Sequence, residues 1–209
     1  MRRNLFIALE GLDGSGKTTQ ARLLADKFRQ SGYDVYATSE PTENRIGQLI
    51  RDIFRHKMEA DHRTIAALYA ADRLEHLLNE KDGILMQLGQ GRNVITDRYY
   101  FSSYAYHGVH MSMDWVIGVN SLSADLLRPD LNIFIDTSPD ICMQRLNEGR
   151  KSMQLYETID NLQKVRMKYF EAFEKMEGKE RIFITDGNRR PEEIAEDVWQ
   201  EISPKIYRK

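Results

Sequence analysis

The chain has little cysteine, proline and tryptophan, and it has no long apolar run. Its 209 residues include one cysteine (Cys142), five prolines and two tryptophans. One cysteine cannot form an internal disulfide, and no cysteine pair has the spacing of zinc ligands, so disulfide-stapled and cysteine-based zinc domains are excluded. These features predict a reducing, cytoplasmic setting. No apolar stretch approaches the length that spans a bilayer, so we expect no membrane partner.

An excess of one charge sign is also lacking. The 30 basic and 32 acidic residues give a formal net charge of −2. Such a balance provides no general attraction to nucleic acid, so we expect no nucleic-acid partner and only local recognition of phosphate groups. The length and the absence of a linker-like tract predict one domain over residues 1–209.

The most specific motif is a glycine-rich loop at residues 11–18, which follows the apolar run 5–9 and precedes a helical pattern over 20–28. Its residues are Gly11, Leu12, Asp13, Gly14, Ser15, Gly16, Lys17 and Thr18, with Thr19 directly after them. In such a loop the backbone N–H groups wrap a polyphosphate, Lys17 reaches the terminal phosphates and the Thr18 hydroxyl binds Mg²⁺. The alternative of a plain glycine turn is disfavoured by the flanking strand and helix patterns. The loop predicts binding of a nucleoside triphosphate.

Short apolar runs alternate with helical segments along the whole chain. The runs lie at 5–9, 34–38, 93–96, 131–135 and 181–185. This alternation predicts an α/β fold with a doubly wound, five-stranded parallel sheet flanked by helices. Ligands bind at the carboxyl ends of the strands in such folds. Asp97, at the end of the third run, is therefore the candidate magnesium ligand beside Thr18, whereas Asp136 and Asp186 are interpreted as loop or capping residues.

A long helical insertion, with periodicity at 46–54 and 64–78, separates the second run from the third. Tyr69 and Arg73 are four residues apart and share one helix face, where a ring and a guanidinium suit a nucleobase. Tyr69 is alternatively a core or surface aromatic residue, and Asp72 with Arg73 is alternatively a solvated charged pair. We expect an acceptor site within about 40–75.

Charged side chains near the loop are candidates for phosphoryl chemistry, which needs positioning and positive charge. Arg98 follows Asp97 directly, and it either binds the transferring group or forms a structural ion pair with Asp97. The negative charge of Asp13 is electrostatically unfavourable beside a polyphosphate, which indicates a function for this residue. Asp13 either accepts a hydrogen bond from a hydroxyl group of the acceptor substrate or orients an arginine.

A second basic cluster lies in a polar, glycine-containing stretch that contains Arg145, Arg150 and Lys151. A cationic segment of this kind is typical of a short mobile lid, here over about 145–157, that stabilises charge and excludes water. The alternative is a solvated helix end.

The segment 100–108 is dense in aromatic and small polar residues. The segment either lines a pocket for a flat ligand with polar edges or forms a helix that packs its aromatic residues on the sheet. For Tyr100 and Phe101 we favour packing. His107 has no second histidine or carboxylate at a metal-ligand spacing, so no metal is assigned to histidine.

Together these residues resemble the thymidylate kinase family, which are P-loop enzymes that transfer the γ-phosphoryl group of ATP to dTMP. The matching segments follow family order over most of the chain: 9–13 leading into the loop, 68–73, 97–99, Ser102-Ser103, Ala105-Tyr106 and Tyr156-Glu157. The resemblance implies a P-loop NTPase fold and Mg²⁺-dependent formation of dTDP in dTTP biosynthesis by a cytoplasmic homodimer. The alternatives are a kinase for another nucleoside or nucleoside monophosphate, and a nucleotide-switched binding module.

The resemblance also implies roles for individual residues. Asp13 would contact the sugar 3′-hydroxyl, Arg98 would hold the dTMP phosphate, and Tyr69 would stack on thymine. Arg73 would donate to O4 of the base, and Tyr106 would crowd the 2′ position. The implied dTMP-binding set also contains Ser102, Ser103, His107 and Arg45, while Arg145 would lie against adenine.

The sequence departs from the family pattern at several positions. Tyr69 replaces the usual phenylalanine, and His107 stands where bacterial members commonly have glutamine. The segment 39–45 lacks an arginine beside its proline, so either Arg45 substitutes for it or Arg98 carries more of the acceptor phosphate.

The phosphate loop itself departs from one family pattern, because Gly14 stands where some members have arginine. This points to members whose lid supplies the catalytic cation. Arg150 and Lys151 are therefore predicted to be catalytic, together with Asp13, Lys17 and Arg98.

Overall fold

Five parallel strands form one sheet in the order β2-β3-β1-β4-β5. The computed structural model describes residues 4–149, 156 and 158–206. The strands are β1 (Phe6–Gly11), β2 (Val35–Ser39), β3 (Asn93–Asp97), β4 (Leu131–Asp136) and β5 (Ile182–Asp186). Each lies within two residues of its predicted bounds, so the predicted fold class is confirmed.

Helices connect the strands and cover both faces of the sheet. Within the described residues they are α1 (Lys17–Gln30), α2 (Arg45–Phe54), α3 (His62–Leu78), α4 (Ile84–Gly89), α5 (Tyr100–Gly108), α6 (Met113–Leu126), α7 (Pro139–Gly149), α8 (Ile159–Lys175) and α9 (Pro191–Ile206). The Asn44 side chain caps α2 by accepting the N–H groups of Ile46 and Gly47, and Asp61 caps α3. None of the described helices is long and apolar enough to cross a membrane.

The central strand β1 contributes to two separate cores. Successive strand residues point to opposite faces, so Phe6 and Ala8 join one buried cluster while Ile7 and Leu9 join the other. The first cluster is rich in aromatic residues from α5 and α8, and the second packs α1 and α9 on the sheet. Tyr100 and Phe101 are fully buried in the first cluster, which confirms the packing role predicted for them.

The carboxyl ends of the strands meet at one edge, because all five strands are parallel. Asp97, Asp136 and Asp186 are the last residues of their strands. The interpretation of Asp136 as a loop or capping residue is wrong, because it closes β4 and forms two 2.7 Å hydrogen bonds with the guanidinium of Arg166. Asp186 closes β5 and accepts the backbone N–H of Asn188 at 2.9 Å.

Candidate active site

The phosphate loop joins the last residue of β1 to the first turn of α1. Gly14 has a φ of 81°, and a Cβ at this position would lie 2.6 Å from the carbonyl oxygen of Cys142. Residues with a side chain rarely adopt this backbone conformation. The start of α7 also occupies the space where a Cβ atom would lie. A larger residue in place of Gly14 would therefore strain the loop.

Two polar groups in the loop fit a polyphosphate. Lys17 is buried, and its Nζ donates a 2.6 Å hydrogen bond to the carbonyl oxygen of Leu12. Burial and the charge of Arg98 lower the pKa of Lys17 to about 8. The Ser15 hydroxyl is buried and has no hydrogen-bond partner among the described residues. Since buried polar groups are normally hydrogen-bonded, an oxygen of a phosphate group is a fitting partner for both.

Thr18 and Asp97 bring two oxygen ligands together at the end of β3. Oγ1 of Thr18 donates a 2.5 Å hydrogen bond to Oδ2 of Asp97. Mg²⁺ prefers oxygen ligands and is usually held by one or two protein groups together with phosphates and water. The chemistry of this pair fits Mg²⁺.

Arg98 is held by residues from two elements. Its Nη2 lies 2.6 Å from Oδ1 of Asp13, and its Nη1 donates to Oγ of Ser102 at 2.8 Å. The predicted alternative of an ion pair between Arg98 and Asp97 is therefore wrong, since Asp97 binds Thr18. Arg98 has a φ of 75°, which is a strained conformation for a residue with a side chain and is typical of functional sites.

Tyr106 completes the arrangement around Asp13. Its hydroxyl donates to Oδ2 of Asp13 at 2.9 Å and accepts the backbone N–H of Asp13, also at 2.9 Å. Burial disfavours the charged form of Asp13, but the positive charges of Arg98 and Lys17 outweigh burial and hold its pKa below the ordinary value. Asp13 is therefore an ionised hydrogen-bond acceptor between the loop and Arg98.

A cavity of about 210 Å³ opens beside this arrangement. It brings together most of the residues predicted for dTMP binding, namely Asp13, Tyr69, Arg98, Ser102, Ser103, Tyr106 and His107. Within the described part of the chain, six further residues line it that the sequence does not predict as site residues, namely Pro41, Ile50, Arg51, Phe54, Arg55 and Tyr156. The cavity lies between α2, α3 and α5, at the carboxyl edge of the sheet.

The structure does not bring Arg45 to the cavity, because this residue is exposed at the start of α2. Arg51 lies there instead, and its Nη2 donates to the carbonyl oxygen of Pro41 at 2.6 Å and to Glu43 at 2.7 Å. Arg51 and Arg55 are four residues apart and share one face of α2. That spacing indicates a shared helix face, but it does not show which face of α2 turns toward the cavity.

Arg73 is fully buried beneath the cavity and does not line it. Its Nε and Nη2 donate to Oε2 of Glu40 at 2.9 and 2.6 Å, and its Nη1 donates to Oγ of Ser103 at 3.1 Å and to Asn120. The predicted alternative of a solvated pair with Asp72 is wrong. Among the described residues, Ser103 is the cavity-lining side chain to which Arg73 donates a hydrogen bond.

Two aromatic side chains form the wall above Ser103. Tyr69 is half-buried, and its ring centroid lies 5.3 Å from that of His107 and 6.2 Å from that of Phe54. His107 is buried, and its Nδ1 has no hydrogen-bond partner among the described residues. Burial and the charge of Arg73 lower the pKa of His107 to about 3, so this imidazole is neutral.

The predicted lid is described only in part. Arg145 lies on α7 beside the phosphate loop, where its Nη1 is 3.4 Å from the carbonyl oxygens of Gly14 and Ser15. Arg150 and Lys151 lie outside the described residues.

The match to a known family extends over most of the chain. The family model described as thymidylate kinase matches residues 9–198. The chain belongs to the thymidylate kinase family. The phosphate loop, the Asp13–Arg98 pair and the cavity all lie within the matched residues. The family and the enzyme class predicted from the sequence are confirmed, so the protein is a kinase.

Relatives from archaea and bacteria match nearly the whole chain. The chain is 39% identical over 206 residues to a probable thymidylate kinase of Pyrococcus abyssi, covering 94% of each chain. It is 34% identical over 209 residues to a thymidylate kinase of Shouchella clausii, covering 97% of this chain and 96% of the relative. A thymidylate kinase of Leptospira interrogans is 33% identical over 200 residues, covering 95% and 94%.

Proposed function

We propose that this protein transfers the γ-phosphoryl group of ATP to dTMP, giving dTDP and ADP, as a step of dTTP biosynthesis. The observation that carries the proposal is the Arg98–Asp13 pair, which lies at 2.6 Å between the phosphate loop and an aromatic-lined cavity. A guanidinium at this position binds an acceptor phosphate next to the donor triphosphate. In-line transfer requires this proximity.

On the ATP side, residues 11–19 wrap the triphosphate with backbone N–H groups, and Lys17 donates to the terminal phosphates. Thr18 and Asp97 would hold Mg²⁺, which supplies positive charge to the transferring phosphoryl group when bound. Arg145 lies against the adenine ring. The contacts of Lys17 and Arg145 with the loop carbonyls support these positions.

On the acceptor side, Arg98 and Ser102 bind the dTMP phosphate, and Arg51 takes the place that the sequence pattern assigned to Arg45. Arg51 lines the cavity and is already oriented by the carbonyl oxygen of Pro41. Asp13 accepts a hydrogen bond from the 3′-hydroxyl of the sugar. The ring of Tyr106 fills the space beside the 2′ position. An ionised Asp13 is a strong acceptor for a sugar hydroxyl.

Base recognition involves Tyr69, Ser103 and His107, with Arg73 as the residue that positions Ser103. Tyr69 stacks on thymine from the α3 side of the cavity. Ser103 accepts a hydrogen bond from Arg73, so its hydroxyl hydrogen is directed away from Arg73 and is available to O4 of the base. Neutral His107 lines the cavity beside Tyr69 and lies near the base edge. In this arrangement Arg73 acts on O4 through Ser103.

The catalytic charge that Gly14 cannot provide comes from Arg150 and Lys151 of the lid at about 145–157. Replacing both by alanine is expected to lower kcat by about 100-fold while the dissociation constant for dTMP changes little. Single-turnover kinetics with saturating ATP measure this effect, and wild-type turnover in the double variant would remove both residues from the mechanism.

A panel of acceptors tests the proposed reaction. Purified protein is incubated with ATP, Mg²⁺ and each of dTMP, dUMP, dCMP, dAMP, dGMP, UMP and thymidine, and products are separated by anion-exchange chromatography. dTMP is expected to have the highest kcat/KM, and chelation of Mg²⁺ by EDTA should abolish turnover. A different best acceptor would replace dTMP in the proposal. ATP hydrolysis without a phosphorylated product would instead favour a nucleotide-switched binding module.

We also propose that residues 1–209 form one kinase domain, which acts in the cytoplasm as a homodimer without a nucleic-acid partner. Trp115, Leu122 and Leu126 of α6 are 43%, 57% and 40% exposed, and their spacing places them on one helix face. An exposed apolar stripe of this kind suits a second copy of the chain. Light scattering after gel filtration measures the assembly, and a Leu122→Glu variant is expected to shift it to monomer.

A further inference from the structure

Glu10 is a buried carboxyl group to which the proposed mechanism gives no role. It is the penultimate residue of β1, and its side chain is fully inaccessible to solvent. Burial raises the pKa of Glu10 to about 7, although hydrogen bonding by Ser102 and the charge of Arg98 oppose this. The charge of a buried group that titrates near neutral pH responds to any new charge placed nearby.

The hydroxyl group of Ser102 links the carboxylate of Glu10 to the guanidinium of Arg98 by hydrogen bonds. Its Oε2 accepts a 2.5 Å hydrogen bond from Oγ of Ser102, and the same Oγ accepts Nη1 of Arg98 at 2.8 Å. Oε1 of Glu10 accepts a hydrogen bond from the backbone N–H of Tyr99 at 2.9 Å. The Tyr169 hydroxyl lies 3.1 Å from Oε2 of Glu10 and 2.9 Å from Oγ of Ser102. Glu10 therefore fixes both the backbone after Arg98 and the hydroxyl that orients its side chain.

The groups around Glu10 are positive or neutral. Arg98 and Arg73 favour its ionised form, and the charge of Glu10 partly opposes the lowering of the pKa of Lys17 by burial. The hydroxyls of Ser102 and Tyr169 face it from α5 and α8. Asp97 pairs with Leu9 in the sheet register, so its side chain lies on the opposite face of the sheet from Glu10.

We propose that Glu10 is a positioning residue for the acceptor phosphate, and that it becomes more fully protonated, with a proton taken from solvent, when the phosphate dianion of dTMP binds at Arg98. The inference rests on the proposed role of Arg98. A bound dianion adds negative charge close to a buried carboxylate, and like charges favour the neutral form. Because Arg98 then also interacts with the phosphate, its positive charge stabilises the ionised form of Glu10 less than in the free protein.

Protonation of Glu10 reverses one hydrogen bond. The new O–H of Glu10 donates to Ser102 Oγ, which has two lone pairs and continues to accept Nη1 of Arg98. The hydroxyl hydrogen of Ser102, previously donated to Glu10, is released. The phosphate dianion of dTMP is a stronger acceptor for it than the neutral Tyr169 hydroxyl, which lies 2.9 Å from Ser102 Oγ. Ser102 lines the cavity, so its hydroxyl has access to this ligand. The proton that enters at Glu10 therefore gives the phosphate one more hydrogen-bond donor.

Isothermal titration calorimetry in buffers with different ionisation enthalpies measures the number of protons taken up. dTMP is titrated at pH 7.5 into protein saturated with Mg²⁺ and a non-hydrolysable ATP analogue, which fixes the charge of Lys17. Wild-type protein is expected to take up about half a proton per dTMP, since the pKa of Glu10 rises through the working pH. Glu10→Gln is expected to take up almost none.

Two further measurements test the inference without the Glu10→Gln variant. Thymidine lacks the phosphate and is expected to bind wild-type protein without proton uptake. Tyr169→Phe removes a hydroxyl that lies 3.1 Å from Oε2 of Glu10 while the ring is retained, so the ionised form of Glu10 is less favoured before dTMP arrives and the uptake falls.

Equal uptake by wild-type and Glu10→Gln protein would overturn the inference, as would equal uptake with thymidine and dTMP. Unchanged uptake in Tyr169→Phe would also contradict it. In each of these cases dTMP still binds, and the proposed function stands. Absence of any binding heat with dTMP would instead reject the proposed acceptor.

Discussion

Nη2 of Arg98 donates a 2.6 Å hydrogen bond to Oδ1 of Asp13, and this contact joins the end of β3 to the phosphate loop. The two residues are 85 positions apart in the chain. Arg98 adopts a φ of 75° at this point, a conformation that costs on the order of 1–3 kcal/mol and persists only where the surroundings impose it. The proposed acceptor side of the site is therefore linked directly to the proposed ATP side.

Replacing Arg98 by alanine is expected to impair dTMP use far more than ATP binding. The kcat/KM for dTMP should fall by about 100-fold or more, because a charge-assisted contact to phosphate is lost. Arg98→Lys should recover only part of this loss, since an ammonium group cannot bind in the same forked manner. Steady-state kinetics and titration with a fluorescent ATP analogue measure the two sides separately.

Arg22→Ala is the matched control, because Arg22 is exposed on α1 and its pairing with Asp26 lies at the surface. It should leave both parameters unchanged. Equal losses for dTMP and ATP in Arg98→Ala would contradict the role given to Arg98.

Removing the charge of Glu40 is expected to destabilise the protein strongly. Glu40 and Arg73 are both buried with a contact of 2.6 Å, and Glu40→Gln would leave a buried guanidinium without its counter-charge. Breaking such a pair costs about 3–5 kcal/mol. Urea denaturation measures the free energy of unfolding.

Glu193→Gln is the comparison variant, because Glu193 pairs with Arg190 at the surface of α9. Its effect on stability should be negligible, since surface pairs are screened by water. Similar unfolding curves for Glu40→Gln and wild-type protein would show that Arg73 does not depend on Glu40.

Changes at Tyr106 are expected to separate sugar selectivity from phosphate binding. Tyr106→Phe keeps the ring but loses the 2.9 Å hydrogen bond to Asp13, so it should mainly raise the KM for dTMP. Tyr106→Ala opens the side of the cavity that the ring fills. The preference for dTMP over its ribose counterpart should then fall by about tenfold. Competition between the two nucleotides measures the preference, and an unchanged ratio in Tyr106→Ala would reject the steric role.

Glu10→Gln is expected to change how stability depends on pH. The pKa of Glu10 is raised from 4.5 to about 7 in the folded protein, so its contribution to stability is fully present below pH 4.5 and is lost as pH rises through 7. Glutamine does not titrate. The variant should therefore gain up to about 3 kcal/mol relative to wild type between pH 4.5 and 8. Denaturant titrations at both pH values measure this gain, and a constant difference would show that Glu10 does not titrate there.

Predictions from local sequence were the most accurate part of the sequence analysis. The five strands were located because apolar runs alternate with helical periodicity. The phosphate loop was recognised because its glycines and Lys17 act through their own backbone and spacing. Tyr69 and Arg73 were placed on one helix, but the sequence left open whether that face is solvated or buried.

The pairing of charged residues was harder to predict. Neighbouring residues in the sequence made Asp97 the partner for Arg98 and Asp72 the partner for Arg73, and both alternatives are wrong. The actual partners, Asp13 and Glu40, lie in the loops that follow β1 and β2. Sequence proximity is a poor guide here, because parallel strands bring distant chain segments to the same edge.

The sequence by itself determined the strand order along the chain, the position of the phosphate loop and the family to which this chain belongs, because these depend on short-range periodicity and local motifs. Only the tertiary structure decided that Arg51 lines the cavity and Arg45 does not, since the packing of α2 selects the face that turns inward. It also decided that Glu10 and Arg73 lie buried beneath the cavity. Water does not screen charges there, so the loss of one hydrogen-bond or charge partner has a large effect on the free energy.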